Sequence, residues 1–405
     1  MSQGFFSLVS SRDAPRSKSV SEFPACGACK LYKQCRSPKM PVSGQGQSKI
    51  LIVGEAPGAT EDAENRQFVG DAGKYLEQRC KAHGINLRRD ARIVNAINCR
   101  PPKNRKPTPL EINHCRPLLY EEIKKRPPHV VLLLGDTAVN SYFGARWRRD
   151  IGSVSKWIGW VIPDQLNRCW VIPTYHPSFV LRMQGGVSEQ IIDEALGQVV
   201  FHLDKDLPDY RNDHDKVTRI YDEPVIGDYL LKIYCERRPF RIAIDFETTG
   251  IKPYKREHRI VSCAIATQQG RSIAFPILPR NVSMLQQILA DPHIMKIGHN
   301  IIFEEMWARQ ILNTPINGWI HDTMIMAHYQ NNAPDICSLK FQTCVNFGVD
   351  DYDSHIEHYL KAPDAYSLNQ IDKIPLPDLL LYNGLDSLYT YRLYRKQLRG
   401  PNYAN

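Results

Sequence analysis

The chain is 405 residues long, more than one core usually holds, and 42% of them are hydrophobic, enough to bury two domains. Its apolar runs, such as Val130 to Leu134, are strand-sized, and its first twenty residues hold Ser and Arg without an apolar stretch. A membrane span and a secretory signal are therefore not expected, and a cytoplasmic protein is. The net charge of +9 is uneven: residues 1–205 carry 30 Lys+Arg against 19 Asp+Glu, residues 206–405 carry 22 against 24. A first half at +11 beside a second at −2 suits a polyanion such as DNA on the first half.

Residues 1–22 read as a polar, disordered tail. From residue 23 to 203 strand and helix signals alternate: Ile50 to Val53 led by Lys49, Ala91 to Ala96, His129 to Leu134 and Trp170 to Pro173 as strands, with Gly73 to His83 and Pro109 to Lys125 among the helices. That alternation predicts a largely parallel sheet covered on both faces. Gly54, Pro57 and Gly58 force a tight loop at the carboxyl end of the first strand, where open α/β sheets hold ligands. Residues 204–222 are charged and poor in apolar side chains and read as a linker. In the second domain, 223–399, strand signals at Arg241 to Glu247, Arg259 to Ala266 and Ser272 to Pro276 give way to helices, which predicts a mixed sheet with helices packed on it. Residues 400–405 read as a short tail.

Eleven cysteines without a secretory signal are expected to be thiols or metal ligands. Cys26 and Cys29, and far along the chain Cys99 and Cys115, are two pairs able to converge on one centre. Spacing leaves zinc and an iron-sulfur cluster both open. Cys35 is a rival third ligand; Cys80, Cys169, Cys235, Cys263, Cys337 and Cys344 are expected to be buried small apolar residues.

Gly54-Glu55-Ala56-Pro57-Gly58 with Glu61-Asp62, then Gln67-Phe68-Val69-Gly70, Asn95 with Cys99-Arg100-Pro101-Pro102 and Asn104-Arg105, and His176-Pro177-Ser178 resemble, in that order, the iron-sulfur family-4 uracil-DNA glycosylases. The resemblance implies a three-layer α/β/α fold and a structural 4Fe-4S cluster on Cys26, Cys29, Cys99 and Cys115. Such an enzyme takes a nucleotide out of the stack and stabilises the uracil anion as the glycosidic bond breaks. Phe68 offers a face for stacking, Asn95 an amide that matches the O4 and N3–H edge of uracil, and His176 a donor to O2. Glu55 is the candidate to position or activate water, with Glu61 and Asp62 as competitors. Gly54, Ala56, Pro57, Gly58 and Ser178 complete the substrate contacts. Ala56 and Gly58 stand where family-1 enzymes have Asp and Tyr, so thymine must be excluded differently. Val180 or Leu181 is the candidate wedge for the vacated stack, and Arg100, Lys103, Arg105 and Lys106 form a basic loop for phosphates.

In the second half, Asp245-Phe246-Glu247 lies in a strand, which puts both carboxylates on one face, and Tyr382 and Asp386 are four apart in a helical stretch. With Gly298-His299-Asn300 and Phe303-Glu304, His321-Asp322-Thr323-Met324 and Tyr382-Asn383-Gly384-Leu385-Asp386, the set resembles the proofreading 3′–5′ exonuclease of family A DNA polymerases, in the tyrosine-bearing DEDD superfamily. The resemblance implies an RNase H-like fold and two Mg²⁺ (or Mn²⁺) held by Asp245, Glu247 and Asp386, with Tyr382 orienting the nucleophile and Asn300 on the substrate. Glu304 stands where the family has Asp, which puts full activity in doubt, and Asp322 is expected to be structural. The chain ends without a polymerase region, so any polymerase partner is expected to be a separate chain, as in a bacteriophage system acting in the host cytoplasm. Two other readings stay open: a glycosylase-like domain that only binds DNA or detects uracil within a split polymerase, and a nuclease that acts on RNA.

Overall fold

The computed structural model describes residues 24–399 apart from 148, 237–239, 268–269, 351 and 354; the expected tails lie outside the described residues. The first sheet contains β1 (Ile50–Gly54), β2 (Ala91–Asn95), β3 (Val130–Leu134), β4 (Ile162–Asp164) and β5 (Cys169–Thr174), in the order β2-β1-β3-β5-β4. All neighbours are parallel except the edge strand β4, which no sequence signal marks and which runs antiparallel to β5. Side chains alternate across the strands, so a continuous apolar run means that both faces are covered. Leu51, Val53, Val131 and Leu133 pack with Leu119, Ile123 and Tyr142 on one face, and Ile50, Ile52 and Leu132 pack with Leu76, Cys80 and Leu196 on the other. The register pairs Gly54 with Asn95, which ends β1 and β2 side by side.

The second sheet contains β6 (Val217–Arg219), β7 (Phe240–Thr248), β8 (Ile260–Thr267), β9 (Ser272–Pro276), β10 (Ile294–Gly298) and β11 (Trp319–Asp322), ordered β11-β10-β7-β8-β9-β6. It is mixed as expected, with β7, β8 and β9 antiparallel and β10, β11 and β6 parallel to their neighbours. The long helix Leu376–Gln397 lies across it.

Two expectations about organisation need correction. Part of the linker is built into the second sheet: Val217–Arg219 pairs with β9 as an edge strand. Just before it, the buried Asp213 accepts from Tyr389 Oη (3.0 Å) and Arg392 Nη2 (2.9 Å). A charge-rich segment is not solvated when its carboxylate is paired inside.

The two cores are also not separate. The helix Leu339–Phe347 lies between β11 and the long helix in sequence, yet its Phe341, Cys344 and Val345, with Ile336 just before it, share one cluster with Trp147, Trp157 and Ile162 of the first domain. Phe341 meets Trp157 edge-on at 5.2 Å between centroids. Arg146 forks onto Asp164 (2.7 and 2.8 Å) and reaches Asp350 (3.1 Å). Gly348, at φ +65°, passes so close to β4 that a Cβ there would fall 1.8 Å from the Pro163 carbonyl oxygen.

Candidate active sites

A cleft of about 700 Å³ opens at the carboxyl ends of the first sheet's parallel strands. Gly54 closes β1 behind the cleft's Asn95 and Phe68, where a Cβ would lie 2.4 Å from Asn95 Oδ1 and 2.9 Å from Phe68 Cζ, so glycine keeps the space between amide and ring open. Phe68 has φ +52°, its carbonyl accepts from Arg88 Nη2 (2.7 Å), and its ring lies 5.8 Å from that of His176 at 26°. Ala56, Pro57 and Gly58 line the same cleft.

His176 precedes the helix Pro177–Arg182, and its Nδ1 accepts the Ser178 backbone N–H (3.2 Å) and lies 2.9 Å from Ser178 Oγ. An accepting Nδ1 leaves the proton on Nε2. Burial, aided by Arg182, pushes the imidazole down to about 4, so at neutral pH it is an uncharged donor. Ser178 thus fixes the histidine tautomer, besides lining the cleft.

The three candidate carboxylates separate. Asp62 is buried and accepts the Arg36 and Ser37 N–H groups (3.1 and 2.8 Å); Glu61 Oε1 accepts those of Val69 and Gly70 (3.2 and 2.9 Å), bracing the loop that presents Phe68. Glu55 accepts the Thr137 N–H (3.2 Å) at the start of the helix Asp136–Phe143, and burial, with Asp136 nearby, raises its pKa above the ordinary carboxylate value. Thr137 and Asp136 have no motif signal; Asp136 accepts from Lys106 Nζ (2.7 Å) and the Val154 N–H (2.7 Å). Of the two wedge candidates, Val180 is core, whereas Leu181 is exposed. In the basic loop Arg105 is paired with Glu111 (2.6 and 2.8 Å) and Arg100 bonds Asn104 (2.7 Å); Arg105 and Lys106 line the cleft.

Cys26 and Cys29 on the short helix Cys26–Cys29, Cys99 after β2, and Cys115 on the helix Pro109–Lys125 line one small apolar chamber with Leu31, Ile97 and Leu118. Burial, with the other thiols adding to it, pushes Cys99 up to about 11 and Cys115 up to about 12. Backbone N–H groups point at the sulfurs, from Lys39 to Cys99 (3.3 Å) and from Asn98 to Cys115 (3.4 Å). Four thiols gathered in one apolar chamber, two of them facing backbone N–H donors, fit a cationic metal centre. Cys35 does not line the chamber but packs beside Cys99, its thiol facing the Tyr32 carbonyl (3.8 Å). The expectation that the remaining cysteines are buried holds for Cys80, Cys169, Cys263 and Cys344. It fails for Cys235, which is exposed at the end of a helix, and for the half-buried Cys337.

In the second domain, ligand oxygens of Asp245 and Glu247 on β7 and of Asp386 on the long helix all lie within 4.8 Å of one another. Burial, then mutual repulsion, raises Asp245, Glu247 and Glu304 well above the usual carboxylate range. Hard oxygen donors crowded in this way fit a divalent cation. Asn383 Nδ2 holds Asp245 Oδ2 (2.6 Å), and Tyr382 is buried one turn before Asp386 on the same helix. Glu304 is buried, its Oε2 has no partner among the described residues, and it stands outside the tight trio. Its neighbour Glu305 is spent on Arg309 (2.6 Å), the Ile316 N–H (3.1 Å) and Trp319 Nε1 (3.1 Å). Asn300 precedes its helix at φ +74°, and Asp322 accepts the N–H groups of Asn300, Ile301 and Met324 (3.2, 3.0 and 2.8 Å), a bracing role. Sequence reasoning missed Lys340 and Tyr352, which both bond Asp386 Oδ1. A lysine at the start of an apolar helix carries no signal for such a place.

Residues 41–199 match the uracil DNA glycosylase superfamily, and residues 228–399 match a 3′-5′ exonuclease family. The type-4 uracil-DNA glycosylase of Thermotoga maritima is 35% identical over 181 residues, 45% of this chain and 91% of that protein. The type-4 enzyme of Sulfurisphaera tokodaii is 38% identical over 163 residues, 40% of this chain and 73% of that one. A DNA polymerase of Bacillus phage SP01 is 23% identical over 390 residues, an alignment that takes in 89% of this chain but 41% of the polymerase. No helix among the described residues is long and apolar enough to cross a membrane. With Gly54, Phe68, Asn95 and His176 around one cleft and a trio of carboxylates in a second, the chain belongs to the type-4 uracil-DNA glycosylases and joins to that domain a 3′–5′ exonuclease domain.

Proposed function

We propose that the chain works in DNA repair or replication, excising uracil at the first site and trimming 3′ ends at the second. The observation that carries the first activity is the neutral His176, whose Nε2–H is free of the Ser178 contacts and whose ring stands beside Phe68. A flipped uracil stacks on Phe68, pairs its O4 and N3–H edge with Asn95, and receives a hydrogen bond from His176 at O2 as negative charge develops there. Glu55, held by the Thr137 N–H, orients the attacking water and takes up its proton. Glu61 acts through the Phe68 loop. Cys26, Cys29, Cys99 and Cys115 would hold a 4Fe-4S cluster, which would tie the amino-terminal segment to the loop after β2 as a structural group.

At the second site Asp245, Glu247 and Asp386 would hold Mg²⁺ or Mn²⁺. When bound, such ions neutralise the scissile phosphate and activate water. Tyr382 orients the incoming nucleophile, Glu304 adds a further buried carboxyl group near Asp245, and Asn383 keeps Asp245 turned toward the site. DNA is the substrate of both sites; the likeness to a phage polymerase across both domains supports a role beside a DNA polymerase, in a bacterial cytoplasm if the source is a phage.

Two variants test the assignment together. On uracil-containing DNA, Asn95→Ala is expected to abolish uracil release and leave Mg²⁺-dependent shortening. Asp245→Asn is expected to do the reverse. Release unchanged in Asn95→Ala would overturn the pocket, and faster digestion of a matched RNA strand would make the nuclease an RNA enzyme.

A further inference from the structure

We propose that Lys340 is a positioning residue of the exonuclease site: its ammonium holds Asp386 while no divalent cation is bound and must yield that carboxylate when one enters. This rests on the cation-site reading above. Lys340 is buried on the helix Leu339–Phe347, and its Nζ bonds both Asp386 Oδ1 and Tyr352 Oη, the latter at 2.8 Å. Tyr352 Oη donates to the same Oδ1 at 2.5 Å. The rings of Tyr352 and Tyr382 stand 4.0 and 4.1 Å from the ammonium, so an oxygen of the trio and two aromatic faces cage it.

The cage is fixed from outside the exonuclease domain. The next residue, Phe341, is fully buried against Trp147 and Trp157 of the glycosylase domain, and Asp350, a few residues on, is held by Arg146. Successive residues of a helix point about 100° apart, so one helix sends Phe341 into the first domain's core and Lys340 into the second domain's site. The helix cannot withdraw the lysine by sliding; only side-chain rotation moves it.

The consequence is electrostatic. Buried carboxylates repel one another, and Lys340 relieves that repulsion in the cation-free enzyme. A divalent cation then competes with a resident positive charge for Asp386 and, once bound, stays near it. Removing the charge removes both obstacles. The lysine thus keeps the site assembled between turnovers and lowers its affinity for the cation.

The test is Mn²⁺ binding to the full-length protein without DNA, read from the electron paramagnetic resonance signal of free Mn²⁺. Lys340→Met is expected to bind Mn²⁺ about tenfold more tightly than the wild type, a change of the size one neighbouring unit charge produces at partly screened range. Lys340→Arg, which keeps the charge, is expected to stay within about twofold of the wild type. Equal or weaker binding by Lys340→Met overturns the proposal, as does Lys340→Arg behaving like Lys340→Met. Absence of Mn²⁺ binding in every protein would overturn the cation site itself and the proposal with it. Uracil excision in EDTA reports that the shared helix is seated; if Lys340→Met loses it, Lys340→Gln carries the same expectation.

Discussion

Phe341 belongs by sequence to the exonuclease half, yet it is buried to 0% exposure among the tryptophans of the glycosylase half. Its ring lies 5.2 Å from that of Trp157, 6.1 Å from that of Trp147 and 6.2 Å from that of Trp160, all edge-on. Truncation to alanine leaves a cavity the size of a phenyl ring, for which about 3–5 kcal/mol is typical, the edge-on pairs included. Against a usual domain stability of about 5–15 kcal/mol this is about a fifth or more. With a urea slope of about 3 kcal/mol/M, the midpoint falls by about 1 to 1.7 M. The assay follows uracil excision in EDTA and tryptophan fluorescence across a urea series. Both midpoints are expected to fall together in Phe341→Ala. An excision midpoint that stays in place while the exonuclease weakens would show that the first domain's core is complete without the helix.

Two further expectations concern chemistry. Because Glu55 must be ionised to take a proton and its pKa is raised by burial, the acid limb of single-turnover excision should have its midpoint above the ordinary 4.5; a limb at or below 4.5 would remove Glu55 from the role. His176 remains neutral down to about 4, so no limb near 6.5 is expected. Its depressed pKa means that the unfolded chain binds the proton first, so its contribution to stability is full above 6.5 and declines as pH falls toward 4. The matching decline in urea midpoint should be reduced in His176→Asn. Cys115→Ser should lose iron and visible charge-transfer absorption together; a colourless wild type that carries zinc would replace the cluster by a zinc site.

What the sequence made legible was local. The apolar run before Gly54 marks a strand because both its faces are covered, and Asn95 and His176 meet because β2 and β5 end on one side of the sheet, where the loop carrying Phe68 reaches them. Asp245 and Glu247 share a face by strand alternation, and Tyr382 and Asp386 share one by helical spacing, so each pair is placed by its own segment. Most of the misses are long-range. The pairing of β6 with β9 depends on a partner 55 residues away, and Asp213 is readable as buried only once Arg392 is beside it. Phe341 and Lys340 are adjacent in an unremarkable helix, and nothing in their spacing says that one faces tryptophans of another domain and the other an active-site carboxylate. Glu61 and Asp62 looked like rivals of Glu55 because sequence distance does not show which backbone N–H groups a carboxylate already holds.

The most direct measurement takes one 5′-labelled DNA strand with a single internal uracil, incubated with the wild-type chain in EDTA or in Mg²⁺, then treated with alkali and resolved on a gel. Cleavage at the uracil in EDTA and a shortening ladder in Mg²⁺ are expected from the same protein. A ladder without uracil cleavage would contradict the account by leaving the first domain a DNA-binding module. Uracil cleavage without a ladder would contradict it at the second site, where Glu304 would then have failed to support the chemistry.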